Sequence, residues 1–246
     1  MTNPAVPGRP GVFLTARWVH LAMLNFELEP ALLADLVPWG TELDSWEGRH
    51  FVSVVGFQFL DTRVLGVPIP FHQNFEEVNL RFYVRRKVGA EQRRGVVFVK
   101  ELVPRRAVAW VANGVYGEKY AALPMSHEDR LGTPERRLRY AWRRAGTVES
   151  LALTARGNAE LSAPDSHIAY IAEHYWGYSA GRGGRSVEYE VEHPPWRVWD
   201  AAEVEFRCDA AGLYGERFRG PLGSAPYSSF IAEGSAVRVR RGRSLA

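Results

Sequence analysis

The sequence predicts an α+β domain made mostly of antiparallel strands, with two or three helices packed on the sheets. Polar and apolar residues alternate from Glu77 to Val84, which is the period of a strand with two unlike faces. Segments rich in Val, Phe and Trp recur along the chain, whereas helical patterns are few and short. No repeat, long linker or low-complexity segment divides the 246 residues. We therefore predict a loose arm over residues 1–11 and a single domain over residues 12–246.

The first part of the chain is predicted to form a short helix and then strands. Pro30 opens a helical pattern over residues 31–37, and Pro38 ends it. Residues 51–60 are dense in Val and Phe and predict a buried strand. The two prolines within residues 67–70 predict a turn or an edge crossing, because proline cannot donate to a central ladder.

After the alternating strand, a hairpin turn near residues 89–95 is predicted to lead into a strand over residues 96–103. Residues 105–116 fit a helix, because apolar residues recur on one face and Gly117 follows at the C′ position. A second helix is predicted to begin at Pro164-Asp165-Ser166 and to end near Glu173. Further strands are predicted over residues 137–144, 148–156, 186–193, 196–207, 228–232 and 237–241.

Composition argues against several classes of function. No apolar run approaches the roughly 20 residues of a membrane span, and residues 1–11 lack a hydrophobic signal core. We therefore predict a cytoplasmic protein without membrane contact. Cys208 is the only cysteine, which excludes an intrachain disulfide and a multi-cysteine metal site. Basic strands at residues 136–144 and 238–243 are nearly balanced by acidic residues elsewhere, so no nucleic-acid partner is predicted.

The polar face of the alternating strand is the first candidate site. Glu77, Asn79, Arg81 and Tyr83 lie on that face. If the sheet curls round on itself, the face lines an interior cavity, where a carboxylate and a guanidinium can bind or polarise a ligand. The alternative is a solvated face of a half-exposed sheet, on which Glu77 and Arg81 are only neighbours.

The segment Tyr116-Gly117-Glu118-Lys119-Tyr120 is the second candidate. A Schiff-base nucleophile must be a lysine, and the chain has lysines only at positions 87, 100 and 119. Lys119 could attack a carbonyl if burial beside another cation lowered the pKa of its amine. Its sequence neighbour Glu118 favours the charged form instead, so the alternative is an exposed, ion-paired loop lysine.

No metal and no cofactor are predicted. His167 and His174 lie seven residues apart, and His127-Glu128-Asp129 offers adjacent ligand types, but neither has a recognised zinc spacing. No GxSxG elbow occurs, and the GRGGR of residues 181–185 matches no phosphate loop. The aromatic cluster His174-Tyr175-Trp176-Gly177-Tyr178 could wall a pocket or simply pack in the core or on the surface.

Several distinctive stretches, which together span nearly the whole chain, occur in a characteristic order. They are FLTARWVHLAMLNFELEP, FEEVNLRFYV, YGEKYAALPM, EHYWGY, VEHPPWRVW and SSFIAEGSAVRVRRGR. This order resembles the domain of unknown function 2071 family of the acetoacetate decarboxylase-like superfamily. The resemblance implies antiparallel sheets that curve into a cone or barrel around a ligand cavity.

Acetoacetate decarboxylases form a Schiff base through a lysine and also use a glutamate. The resemblance places Glu77 on the glutamate position. If Gly117 is set on the family's glycine, Lys119 takes the place of a proline and Tyr120 takes the place of the Schiff-base lysine. Adjacent residues of an extended segment face opposite ways, so Lys119 is not an equivalent of that lysine. Phe26-Glu27 also stands where the decarboxylases have a Tyr-Arg pair.

These observations predict a protein that binds a small carboxylate- or carbonyl-bearing organic molecule in a central cavity and is not a Schiff-base decarboxylase. The predicted ligand-binding residues are Glu77, Asn79, Arg81, Tyr116 and Tyr120. Tyr120 could donate a hydrogen bond or act as a general acid where the decarboxylases have their amine. Glu77, Tyr120 and Lys119 are the candidates for catalysis, although the sequence does not say whether the protein is an enzyme. The alternatives are a keto-acid lyase that uses Lys119 and a non-catalytic protein-interaction module, and a homo-oligomer stays open.

Overall fold

The computed structural model describes residues 9–105, 119–132, 135–180 and 185–245. Within these ranges the strands are β1 (Val12–Leu28), β2 (Glu42–Leu43), β3 (His50–Val64), β4 (Val67–Pro68), β5 (Phe75–Val88), β6 (Glu91–Val103), β7 (Tyr120–Ala122), β8 (Met125–Arg130), β9 (Glu135–Arg144), β10 (Thr147–Arg156), β11 (Glu160–Leu161), β12 (Trp176–Ala180), β13 (Ser186–Glu192), β14 (Arg197–Arg207), β15 (Ser228–Arg240) and β16 (Arg243–Leu245). The α-helices are α1 (His167–Ala172), α2 (Ala210–Tyr214) and α3 (Arg219–Gly223), and 3-10 turns occur at Pro30–Leu32, Ala34–Leu36 and Glu216–Phe218. No helix in the described ranges is both long and apolar enough to cross a bilayer.

Seven strands close into a barrel. They are hydrogen-bonded in the order β13-β12-β6-β5-β3-β1-β15, and β15 pairs back onto β13 to complete the ring. Every neighbouring pair in the ring is antiparallel except β12 and β6, which are parallel. From β15 the sheet continues through β14, β10, β9 and β8 and forms a layer outside the barrel. The prediction of a mostly antiparallel, curved-sheet fold with a few short helices is confirmed.

The two faces of the barrel wall carry two separate hydrophobic cores. On β5, Val78, Leu80, Phe82 and Val84 point outward into the core shared with the outer sheet. The residues between them point inward, where Glu77 and Asn79 are each only 2% exposed. The inward side of this part of β5 is therefore polar but shielded from bulk solvent, because the sheet has closed on itself. The predicted alternation thus gives an interior face rather than the solvated face of an open sheet.

Most predicted elements are present, with shifted ends. The predicted helix at residues 164–173 is the six-residue α1, whose N-cap Ser166 accepts a hydrogen bond from the Ala169 backbone N–H over 3.2 Å. The predicted hairpin turn is shorter than residues 89–95, since β6 begins at Glu91. The strands predicted at 228–232 and 237–241 are one strand, β15. Nearly all of the helix predicted at 105–116 lies outside the described residues.

Strand β1 and helices α2 and α3 were not anticipated from the sequence. β1 contributes to both cores, with Leu24 and Phe26 in the outer one and Leu21 and Met23 in the inner one. A strand that is buried on both faces has no polar-apolar alternation, so the period of two that identifies β5 is missing there. The two helices are only five residues each, which is too short to show a helical repeat.

Candidate functional site

The barrel encloses a cavity of about 330 Å³ whose wall is mostly apolar. Aromatic rings from three adjacent strands form much of this wall. Trp18 meets Phe57 and Phe59 edge-on at centroid distances of 5.5 and 5.8 Å, and Phe59 stacks on Phe75 at 4.7 Å. Such packed rings make a rigid, apolar surface. The volume lies at the lower end of the roughly 300–1,000 Å³ range of small-molecule sites.

Polar side chains gather on one part of the wall, where β5 presents Glu77, Asn79 and Arg81 to the interior. The Asn79 amide donates to Glu77 Oε1 over 2.9 Å, and the Tyr120 hydroxyl donates to Glu77 Oε2 over 3.1 Å. Tyr120 reaches this position because β7 pairs in parallel with β6, which places it opposite Glu101. Both oxygens of the Glu77 carboxyl group are therefore fixed by donors from different strands.

Burial changes the acid-base behaviour of Glu77. Desolvation raises the pKa of this carboxyl from 4.5 to about 7, although the hydrogen bonds from Asn79 and Tyr120 and the positive charge of Arg81 act to lower it. A carboxyl group with a pKa near neutrality is populated in both protonation states at physiological pH. It can therefore either donate or accept a proton toward a bound molecule.

Arg81 reaches the same part of the cavity without a carboxylate partner in the portion of the chain that the structure describes. Its Nη2 donates to the backbone oxygen of Ile171 over 3.1 Å, and its Cζ lies 5.7 Å from the centroid of the Tyr83 ring. Its Nε is buried and has no hydrogen-bond partner there. A half-buried guanidinium with an unmet N–H donor is suited to bind a carboxylate.

His174 follows α1 and lines the cavity near Arg81. The residue is 6% exposed, and its ring lies 4.7 Å from the Tyr83 ring. Neither ring nitrogen has a hydrogen-bond partner within the described ranges. Burial, and after it the charges of Arg94 and Arg81, hold the pKa of His174 well below 6.5, although the nearby Ile171 backbone, which is too poorly aligned for a full hydrogen bond, acts to raise it. The imidazole is therefore neutral at pH 7 and offers one donor and one acceptor.

Unpartnered polar atoms are concentrated in this cavity. Buried polar groups of native proteins are nearly always hydrogen-bonded, so a group of exceptions calls for an explanation. Among the described residues, the cavity lining contributes Trp18 Nε1, Thr62 Oγ1, Asn79 Oδ1, Arg81 Nε and both ring nitrogens of His174. A bound polar molecule would satisfy several of them at once.

All three lysines of the chain lie within the described ranges, and none lines the cavity. Lys87 and Lys119 are exposed. Lys100 points to the outer side of β6, where its Nζ donates to the Leu213 backbone oxygen over 2.5 Å. The structure therefore turns Tyr120, and not Lys119, toward Glu77.

Comparison with known proteins identifies the family. The sequence profile of DUF2071, described as an uncharacterized conserved protein, matches residues 15–236. The chain belongs to the DUF2071 family. The uncharacterized protein YqjF of Bacillus subtilis (strain 168) is 26% identical to it over 221 residues, which is 86% of each chain.

Solved structures similar to this DUF2071 chain have the acetoacetate decarboxylase-like fold. Acetoacetate decarboxylase from Legionella pneumophila subsp. pneumophila str. Philadelphia 1 superposes with a TM-score of 0.63 at 12% identity, covering 100% of this chain and 92% of that one. The enduracididine biosynthesis enzyme MppR, complexed with pyruvate, superposes with a TM-score of 0.67 at 15% identity, covering 98% and 93%. At these identities the similarity establishes the fold and not the activity.

The DUF2071 barrel brings four of the predicted site residues together: Glu77, Asn79, Arg81 and Tyr120. Their binding roles stay predictions. Tyr116 lies outside the described residues, and Lys119 is exposed rather than cavity-facing. The sequence signal for His174 was present in the aromatic cluster of residues 174–178, but nothing in it indicated that the imidazole faces the same cavity.

Proposed function

We propose that this protein binds a small organic molecule bearing a carboxylate or carbonyl group in its barrel cavity and forms no Schiff base with it. The observation that carries the proposal is the half-buried guanidinium of Arg81, which shares the cavity with Glu77 and His174 and whose buried Nε has no hydrogen-bond partner among the described residues. A ligand carboxylate would neutralise Arg81 and accept its Nε–H, and the His174 ring would donate a further hydrogen bond, while Tyr120 and Asn79 hold Glu77 beside it. The MppR complex with pyruvate supports this proposal, because that protein of the same fold holds a small keto acid.

The position of the lysines supports the non-covalent part of the proposal. A Schiff base needs an amine within bonding distance of the ligand carbonyl, and the lysine side chains are outside the cavity. The open, partly polar cavity also favours a ligand-binding protein over a module that only contacts other proteins. A cytoplasmic location remains a prediction from the sequence.

Isothermal titration calorimetry with a panel of carboxylates and keto acids tests the proposal. We expect at least one acid to bind, and Arg81→Gln to weaken it by 30-fold or more, since a hydrogen bond to a charged group contributes about 2 kcal/mol or more. Arg130→Gln removes an exposed arginine of the outer sheet and serves as the matched control. Intact mass after borohydride treatment with the same keto acids should show no adduct. A trapped adduct, or an affinity that is equal in the two arginine variants, would contradict the proposal.

A second candidate function is proton transfer at the carbon next to a ligand carbonyl. It is favoured by the Glu77 carboxyl, whose pKa of about 7 suits a general base, and by the Tyr120 hydroxyl 3.1 Å from it. In D₂O, the protein should then accelerate deuterium exchange into the methyl group of pyruvate, and Glu77→Gln should abolish the acceleration. Exchange no faster than in a protein-free blank would exclude this activity while leaving binding intact.

A further inference from the structure

The charged side chains Glu77 and Arg81 line one end of the cavity, and most of the lining toward the other end is apolar, with Thr62 and His72 as polar exceptions. Along β5 the lining residues run from Arg81 through Asn79 and Glu77 to Phe75. β3 pairs with β5 so that Val55 lies opposite Asn79 and Phe59 opposite Phe75. Glu77, Arg81 and His174 are therefore at one end of the barrel interior, and the stacked rings lie beyond them toward the other end.

The apolar part of the cavity is long. The lining continues along β3 from Phe59 past Thr62 to Val64, and it then includes Ile69 of the following loop. From Val55 to Val64 the strand extends about 30 Å at roughly 3.3 Å per residue, which is about 20 Å along the axis of a barrel with the usual strand tilt. A molecule of three or four carbons at Arg81 would leave most of this apolar wall uncovered.

An exposed apolar segment lies where the apolar part of the cavity reaches the surface. Ile69, which lines the cavity, is 40% exposed, and its neighbours Leu65, Val67 and Phe71 are 54%, 58% and 87% exposed. Large apolar side chains clustered on a surface loop commonly mark a place where an apolar molecule enters or binds. The cavity thus runs from the guanidinium of Arg81 to an apolar segment at the surface.

We propose that the natural ligand is a monocarboxylate with a long, unbranched apolar tail. This inference rests on the proposed function. The carboxylate lies at Arg81 and His174, and the tail lies against Phe57, Phe59 and Phe75 and ends near Ile69. Covering these rings removes apolar surface from water, which favours binding by about fourfold for each buried CH₂ group, or about 0.8 kcal/mol. Trp18 Nε1 and Thr62 Oγ1 are buried beside the tail and have no partner among the described residues, so they could bind a polar atom carried on it.

Straight-chain saturated acids from acetate to dodecanoate test the inference by calorimetry below their micellar concentrations. We expect the affinity to rise about fourfold per CH₂ group. The rise should stop once the tail reaches Ile69. If acetate or pyruvate binds as tightly as decanoate, the tail proposal is wrong while the proposed function stands. If no acid binds at all, the proposed function itself fails.

Three variants separate specific binding from adsorption to the apolar loop. Ile69→Asn should lower the affinity for the longest acid that binds and leave the affinity for the shortest acid unchanged, because only a long tail reaches this residue. Val67→Asn is the matched control, since Val67 is exposed in the same segment and is not part of the cavity lining. Arg81→Gln should lower the affinity for short and long acids by the same factor. Equal effects of Ile69→Asn and Val67→Asn, or no effect of Arg81→Gln, would overturn the proposed binding mode.

Discussion

Replacing Glu77 with glutamine should stabilise the protein at alkaline pH and change little at acidic pH. In the folded protein the pKa of Glu77 is raised from 4.5 to about 7. The folded state therefore holds the proton more tightly than the unfolded state, and the wild type loses stability as the pH rises from about 4.5 through 7. Each unit of pKa difference between the folded and unfolded states corresponds to about 1.4 kcal/mol, so the ionised carboxyl destabilises the fold by about 3 kcal/mol above pH 8. Glutamine has no charge to desolvate; its amide oxygen can accept the bond from Asn79, and its NH2 group can donate to the Tyr120 hydroxyl oxygen.

Urea unfolding of both proteins between pH 4.5 and 9 measures this difference. The free energy of unfolding of Glu77→Gln should equal that of the wild type within about 1 kcal/mol at pH 4.5 and exceed it by about 3 kcal/mol at pH 8.5. Glu76→Gln is the matched control, because Glu76 lies next in sequence on the other face of β5 and pairs with His127 near the surface. It should change stability by no more than about 1 kcal/mol. If the difference in free energy of unfolding between Glu77→Gln and the wild type does not widen as the pH rises, Glu77 has no raised pKa and is not desolvated in the folded protein.

Two other substitutions test the barrel itself. Gly234→Ala should destabilise the protein by about 3 kcal/mol or more in thermal or urea unfolding, because Gly234 has φ +81° and a Cβ there would lie 1.9 Å from the Trp18 backbone oxygen. Gly220→Ala, where no atom lies within 4 Å of the added Cβ, should be nearly neutral, and equal losses in the two variants would contradict the steric argument. Glu188→Gln should cost about 3 kcal/mol at pH 7, because Glu188 is 1% exposed and binds three arginine side chains and the Tyr178 hydroxyl. Burial raises the pKa of Glu188, but the Arg243 hydrogen bond and the nearby arginine charges outweigh it and lower the pKa below 4.5. The difference from wild type should therefore shrink as the pH falls below about 4.5, and a loss that stays constant down to pH 3 would argue against an ionic contribution.

The pattern of residues along the chain was sufficient to predict those parts of the structure that depend on residues close in sequence. The period of two in residues 77–84 correctly assigned Glu77, Asn79 and Arg81 to one face of β5 and Leu80 to the other. The same pattern failed for β1, because a strand buried on both sides has no polar face to reveal it. The order of distinctive stretches indicated the family and the curved sheets, since it reflects the whole chain rather than one element.

The sequence by itself determined which chemical groups are available: three lysines, one polar face on β5, and a tyrosine at position 120. Only the tertiary structure decided what those groups face. Closure of β15 onto β13 completes the barrel that removes Glu77 from water. The pairing of β7 with β6 brings Tyr120 to Glu77 from 43 positions along the chain, and His174, 97 positions away, lines the same cavity. Lys100 lies opposite the outward-facing Leu80 and is therefore on the outer side of the wall. The desolvation and hydrogen bonding of a group depend on all the residues that surround it in the folded structure, and most of those residues are distant in sequence.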